Sequence, residues 1–235
     1  MSHLTGFERT RYVRKMFAGI AGRYDRLNRL MSAGQDLRWR REALDALSVQ
    51  PGKKYLDAGA GTGDIALAAS RRVPGVFVVA CDLTPEMVAV GRKRPGGGAV
   101  RWVVADAQQL PFAGEVFDGV ISAYLLRNVA DLDQTLSEQK RILLHGGRFV
   151  SLDTTPPAKN LLRPLIIFYL RRIIPLLGSL FAGNSEAYTY LPESTEEFLN
   201  AEKLAEKLAS AGFDTPSFVR RMAGTMAIHN AQKNV

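Results

Sequence analysis

Residues 55–67 read YLDAGAGTGDIAL, and this stretch decides the fold. An apolar run ends in Asp57, Gly59, Gly61 and Gly63 open a G-x-G-x-G turn, and an apolar helical pattern follows. Glycines at that spacing permit left-handed backbone and let a ligand approach the chain between a strand and a helix. A dinucleotide loop needs G-x-G-x-x-G, hence glycine at 64, where this chain has Asp64. Carboxylates before and after the turn disfavour a pyrophosphate at the helix N-terminus, a place otherwise suited to anions. A cationic ligand is expected instead.

Outward from the loop, VFVVACD, WVVAD, FDGVISAYL and GRFVSLD are short apolar runs separated by helical stretches from about 54 to 153. This alternation argues for parallel βαβ units, which bind ligands beyond the carboxyl ends of their strands. Asp57, Asp82 and Asp106 fall at those ends. S-adenosylmethionine satisfies these requirements, carrying a sulfonium and an ammonium but no phosphate. Asp82, with its neighbour Leu83, can take both ribose hydroxyls. Asp106 and the Ala107 amide can read the adenine edge. Met87 is spaced to pack on the adenine face, although a methionine there is as often plain core.

Before the sheet, residues 7–47 read as helical, with Phe17, Ile20 and Tyr24 at three- and four-residue spacing and a second set at Leu27, Leu30 and Met31. After it, residues 154–193 break the rhythm. The stretch 161–181 is apolar but interrupted by Pro164, Pro175, Arg163, Arg171 and Arg172, and reads as two short amphipathic helices that cover a pocket or rest on a lipid surface. A capping box, Ser194 to Glu197, is expected to start a helix that stops at Gly212. FDTPSFVRR and GTMAIHNAQ make a terminal antiparallel hairpin around Gly224. The chain is read as one domain over 1–235: a helical arm to residue 50, a ligand-binding core over 51–153, a covering insertion over 154–193, and a helix with hairpin over 194–235.

Composition bounds the class. With 46% hydrophobic and 23% charged residues, the chain of 235 residues is ordinary globular protein, not disordered, collagen-like or coiled-coil. The single Cys81 excludes a disulfide framework and a thiolate metal cluster within one chain. His and carboxylates show no metal spacing, so no metal is expected. The N-terminus lacks the apolar core of a secretory signal and no 18 uncharged apolar residues run together, which points to a cytoplasmic location. The net charge of +8 is uneven: residues 1–41 hold 10 basic and 3 acidic side chains. Such an arm suits an anionic membrane surface, a nucleic acid or an acidic substrate, or is simply a solvated helix face.

The glycine loop and strand-end acids resemble those of class I methyltransferases. Beyond them the chain is similar, from Phe17 to Lys233, to the C-methyltransferases of menaquinone and ubiquinone biosynthesis. YDRLNRLMSAGQDLRWR matches that family's N-terminal signature at Tyr24, Asp25, Asn28, Ser32 and Trp39. ISAYLLRNVAD carries its Arg127-Asn128 pair, RILLHGGRFVSLD follows, and EAYTYLPES and AGTMAIHNAQK resemble its late elements. The resemblance implies an α/β, Rossmann-like class I fold: a mostly parallel seven-stranded sheet with helices on both faces and a terminal antiparallel hairpin. It also implies S-adenosyl-L-methionine as cofactor, with S-adenosyl-L-homocysteine as product. Contacts are implied at Thr62, Asp82, Asp106 with Ala107, and Ser122, and Tyr24 would close over the methionyl end. Departures are Leu144-His145, where the family usually has Lys-Pro, and Asp153, where it has Glu.

The implied reaction is methylation of a ring carbon of a reduced prenylated quinone precursor, demethylmenaquinol first, with the benzoquinol step of ubiquinone synthesis kept open. An aromatic carbon is a poor nucleophile until a neighbouring hydroxyl ionises, so holding the phenolate is the main task. Arg127 is the first candidate, directly or through a water, with Asn128 orienting the same group. The plainer reading is a structural arginine paired with Asp131 or Asp133. His229 and Tyr190 are alternative bases, although a lone strand histidine is more often core. The expected partners are the lipophilic quinol, the inner face of a membrane met peripherally, and a second copy of the chain. A methyltransferase for another small phenol or lipid would share Asp57 to Asp106 but would not need Arg127-Asn128. An RNA-binding protein would explain the basic arm, but the aromatic stacking platforms of RNA readers are missing, so no nucleic acid is expected.

Overall fold

Alternating burial builds the sheet: in β1 (Lys54–Ala58) Tyr55 joins one apolar layer while Leu56 and Ala58 join the other. The structure is a computed structural model and describes residues 5–157, 161, 163–173 and 185–234. The arm holds α1 (Gly6–Ile20), α2 (Tyr24–Met31) and α3 (Gln35–Leu47). After β1 come α4 (Asp64–Arg72), β2 (Phe77–Asp82), α5 (Pro85–Lys93), β3 (Arg101–Val104), β4 (Phe117–Ala123), α6 (Leu132–Ile142) and β5 (Leu143–Thr154). A short helix α7 (Arg163–Phe168) runs into a π-turn at Tyr169–Ile173, and α8 (Ser185–Glu197), α9 (Ala201–Ser210), β6 (Phe213–Arg221) and β7 (Met226–Lys233) complete the described chain.

The seven strands lie in the order β3-β2-β1-β4-β5-β7-β6. β1 pairs in parallel with β2 and β4, β2 with β3, and β4 with β5, while β7 is antiparallel to both β5 and β6. Strand order therefore reverses between β1 and β4, and such a switch point opens a crevice at the carboxyl ends. On one face α3 and α4 pack through Leu44, Leu47, Ile65 and Leu67. On the other, α6 and α9 pack through Leu136, Ile142, Leu204 and Leu208. A third cluster of Val13, Met16, Ile20, Leu27 and Tyr190, with Ile166 and Tyr169 against it, ties α1 and α2 to α7 and α8.

The expected sheet, hairpin and helical arm are all present, and two details differ. Ser194 to Glu197 does not start a helix: it ends α8, and α9 begins four residues later with Asn200 as its cap, its side chain accepting the Lys203 N–H at 2.8 Å. Asparagine meets the same orphan donor that the serine was expected to meet. β3 stops at Val104, so Asp106 stands in the turn beyond the strand. Of the two helices expected over 161–181, the first corresponds to α7 with its π-turn, and the second lies outside the described residues.

Candidate active site

The glycine loop is shaped by three left-handed glycines, with φ of +68° at Gly59, +56° at Gly61 and +81° at Gly63. They do different work. A Cβ on Gly61 would stand in open space, with only Tyr24 Cε1 at 3.8 Å, so this glycine leaves room for a ligand. A Cβ on Gly63 would lie 2.3 Å from Trp102 Cη2, so this glycine serves the packing of α4 against β3. Beneath the loop Asp57 accepts the Ala66 N–H at 3.0 Å, and burial pushes its pKa up to about 7. Asp82 accepts the Gly61 N–H at 2.7 Å and the Thr84 N–H at 2.8 Å.

These contacts revise the charge argument drawn from the sequence. Asp64 is not a free anion: Arg94 lies 2.7 Å away, Arg29 3.0 Å and Arg40 3.6 Å. Burial alone would raise its pKa, but Arg40, Arg94 and Arg29 outweigh it and hold the carboxyl below the usual range. Burial pushes the Asp57 carboxyl toward its neutral form. The feature that turns a phosphate away is Asp82, which occupies the Gly61 N–H that an anion would need.

Above the loop is a cavity that is partly open to solvent. Of the residues singled out from the sequence, Tyr24, Gly59, Gly61, Asp82, Leu83, Met87, Asp106, Ala107 and Asn128 line it. S-adenosylmethionine fits this set. A carboxylate offers about four acceptor sites, so Asp82 keeps acceptor capacity for a ribose hydroxyl after serving the Gly61 and Thr84 donors. Asp106 has Gln108 Nε2 3.2 Å from both its oxygens, and so already presents its carboxylate to an amine donor. Met87 and Leu83 supply apolar walls.

Asp57, Thr62, Gly63 and Ser122 do not line the cavity. Thr62 is turned to the arm, its hydroxyl donating to Asp25 Oδ1 at 2.6 Å. Arg94 ties the same corner by reaching Asp25 at 3.1 Å and the Thr62 carbonyl at 3.0 Å. Ser122 is buried, and its hydroxyl has no hydrogen-bond partner among the described residues. The cavity also takes in residues that the sequence did not flag as ligand contacts: Val13 and Phe17 from α1, and Tyr124 and Leu125 after β4. Phe17 stood in the sequence only as part of a helical pattern with Ile20 and Tyr24, which carried no hint of a ligand.

Arg127 and Asn128 follow β4 in a short 3₁₀ turn and are buried. Arg127 is paired, but with neither Asp131 nor Asp133: its Nη1 meets Asp153 Oδ1, and its backbone N–H reaches Asp153 Oδ2 at 3.4 Å. Asp131 instead caps α6, accepting the Gln134 N–H at 2.9 Å, and Asp133 pairs with Lys207 at 2.6 Å. Both side chains of the Arg127–Asp153 pair are under 5% exposed, at 4% and 3%. Burial would lower the Arg127 pKa, yet Asp153 outweighs it and raises the value. The Arg127 Nε and the Asn128 Oδ1 are buried without hydrogen-bond partners among the described residues, while Asn128 Nδ2 donates to the Tyr124 carbonyl at 2.7 Å. Arg127 itself does not line the cavity above the loop; it borders a second, more open groove shared with Arg9, Phe198 and Lys203.

The two alternative bases lie apart from the cavity walls. His229 is buried on β7, its Nε2 2.9 Å from the Ala201 carbonyl, and burial lowers its pKa. It anchors the start of α9. Tyr190 on α8 is buried in the arm cluster with its ring edge-on to Tyr12 at 5.9 Å, and burial raises its pKa against the pull of Arg9 and Arg127.

A mostly parallel sheet with a switch-point cavity, a glycine loop whose Gly61 N–H is taken by Asp82, and acceptors at or just beyond the ends of successive strands define a class I S-adenosylmethionine-dependent methyltransferase. A solved methyltransferase of this class from Thermotoga maritima superposes with a TM-score of 0.65 over 94% of this chain and all of its own, at 18% identity, a likeness of fold. The profile of the ubiE/COQ5 methyltransferase family matches residues 5–233, and the chain belongs to that family. Among its relatives, the ubiquinone/menaquinone biosynthesis C-methyltransferase of Desulfotalea psychrophila is 47% identical over 92% of this chain and 88% of its own length. The demethylmenaquinone methyltransferase of Thermus thermophilus is 44% identical over 91% and 98%. The protein is thus an S-adenosylmethionine-dependent C-methyltransferase.

Proposed function

We propose that the protein methylates a ring carbon of a reduced prenylated quinone precursor, with demethylmenaquinol as the acceptor and the related benzoquinol as the second substrate to test. The observation that carries this reading is a buried cation just after β4, Arg127, whose Nε–H has no partner among the described residues, beside Asn128 in the cavity wall, whose Oδ1 has none among them either. The names of the two relatives support the acceptor class.

When bound, S-adenosylmethionine supplies a methyl group activated by its positive sulfur. The chain supplies the rest. Arg127 is locked as a guanidinium by Asp153 and does not act as a base. It stabilises the ionised oxygen that pushes electron density onto the reacting carbon, and Asn128 Oδ1 accepts from the hydroxyl or water that shares that oxygen. Anion and cation neutralise one another as the bond forms, so a cavity closed by the arm and screened from water favours the step. Tyr24, Val13 and Phe17 form that closing wall and align acceptor and donor. The ring carbon then loses its proton, giving methylated quinol, S-adenosyl-L-homocysteine and a proton.

A prenylated acceptor partitions into lipid, and we place the protein's meeting point with a membrane surface at α7. Leu161, Leu165 and Phe168 are 98%, 67% and 58% exposed there, beside Arg163, Arg171 and Arg172. Among the described residues no helix is long and apolar enough to cross a membrane, which fits peripheral contact.

The deciding experiment is transfer of radiolabelled methyl from S-adenosylmethionine to reduced demethylmenaquinone and to a reduced benzoquinol precursor, side by side. Label in a quinol, lost in Arg127→Ala while calorimetric cofactor binding survives, is the expected result. Tight cofactor binding with no label in either quinol sinks the acceptor assignment.

A further inference from the structure

Tyr124 stands in a conformation that a bulky residue avoids. It follows β4 with φ of +60°, in the left-handed region. Two hydrogen bonds hold it there: its N–H donates to the Leu152 carbonyl at 2.7 Å, and its carbonyl accepts from Asn128 Nδ2 at 2.7 Å. Strain of this kind persists where the surroundings over-determine it, and it gathers at ligand sites. The residue lines the cofactor cavity.

Two buried guanidinium groups converge on its ring, the carbon of Arg40 5.0 Å and that of Arg127 5.2 Å from the centroid. Arg127 has Asp153. Arg40, from α3, is loosely held: its Nε lies 3.6 Å from Asp64 and 3.8 Å from Asp36 and has no hydrogen-bond partner among the described residues. A desolvated cation over an aromatic face is attracted to it, and two of them fix the ring's place. Tyr24, also in the cavity wall, faces the same two arginines.

We propose that Tyr124 is a further acceptor-binding residue, its hydroxyl donating a hydrogen bond to an oxygen of the aromatic diol, and that Arg40 is a positioning residue that acts through the Tyr124 ring. This rests on the reading of the acceptor as a quinol. A 1,4-diol has oxygens on opposite sides of its ring, and a site with Arg127 alone meets one of them. Burial raises the Tyr124 pKa, so the hydroxyl keeps its proton and remains a donor. The charged and titratable groups facing it are Arg40 and Asp36 from α3, Tyr24 from α2, and Arg127.

The test is Tyr124→Phe, which keeps the ring and its packing, with Arg40→Lys and Arg40→Met as companions. Binding of 1,4-dihydroxynaphthalene to the S-adenosylhomocysteine complex, measured by calorimetry under anaerobic conditions, is expected to weaken at least tenfold in Tyr124→Phe. Affinity for S-adenosylhomocysteine should stay within twofold. In turnover, the acid limb of the kcat profile should move to higher pH, because an acceptor hydroxyl without its donor ionises less readily. Arg40→Lys should recover most of what Arg40→Met loses in kcat, a rescue that loss of packing alone does not give. Diol affinity and pH limb both unchanged in Tyr124→Phe overturn the proposal. Wild-type protein that binds the diol through Tyr124 yet labels no quinol would overturn the acceptor reading instead and leave the tyrosine's role standing.

Discussion

Removing Asp153 should cost far more than removing an ordinary salt bridge. With both side chains under 5% exposed, Asp153→Ala leaves the Arg127 guanidinium buried and uncompensated. Breaking a buried pair from one side costs about 3–5 kcal/mol, whereas replacing both partners by apolar groups is often neutral or stabilising. A chain of 235 residues has an unfolding entropy of roughly 0.5 kcal/mol/K, so the single substitution should lower Tm by about 6–10 °C. Arg127→Met should do the same from the other side, and the double variant Arg127→Met with Asp153→Ala should return to within about 2 kcal/mol of the parent. Urea titration and calorimetry of all four proteins close the cycle. All three variants should lose methyl transfer while binding cofactor, since neither residue lines the cofactor cavity. A Tm for Asp153→Ala within about 1 °C of the parent, or a double variant as unstable as the two singles summed, would refute the reasoning.

Three further outcomes follow from the site. Gly63→Ala forces a Cβ 2.3 Å from Trp102 in left-handed backbone and should cost about 2–4 kcal/mol in urea titration, whereas Gly61→Ala should cost about 1 kcal/mol yet weaken S-adenosylmethionine binding at least tenfold by calorimetry. The reverse order of the two effects would contradict the division of labour in the loop. Asp57 has a folded pKa of about 7 against an unfolded 3.8, so the folded state holds the extra proton between those values. Its contribution therefore falls as pH rises through that window, by up to roughly 4 kcal/mol. Asp57→Asn, whose amide oxygen still accepts the Ala66 N–H, should flatten the pH–stability curve between about pH 4 and 7; an unaltered curve would assign the slope elsewhere. Finally, Phe168→Glu should reduce flotation with phosphatidylglycerol vesicles at low salt, and parent protein that fails to float would remove α7 as a membrane contact.

The sheet was legible because its causes are local. Five apolar runs with turn signals between them, and glycines at 59, 61 and 63, speak through period-two burial and backbone freedom, properties of a few consecutive residues. Asp82, Asp106 and Met87 were legible for the same reason, since a strand end or a helical spacing places them at the crevice. Tyr124 was not, because nothing in ISAYLLRN announces a left-handed tyrosine; that conformation comes from Leu152 and Asn128 pinning it on both sides. The packing reason for Gly63 was not legible, because Trp102, which its missing Cβ makes room for, lies on β3, far along the chain.

By itself, then, the sequence determined the parallel sheet, the glycine loop at its switch point and the acids at successive strand ends. Only the tertiary structure decided which charges are spent and which remain. Thr62 answers Asp25 across 37 residues, Asp64 answers Arg94 across 30, and Arg127 answers Asp153 across 26. With 31 basic and 23 acidic side chains many such pairings are open to the chain. A charge interacts strongly only over a few ångströms in a desolvated interior, so the choice among them is made by the packing that brings distant segments together.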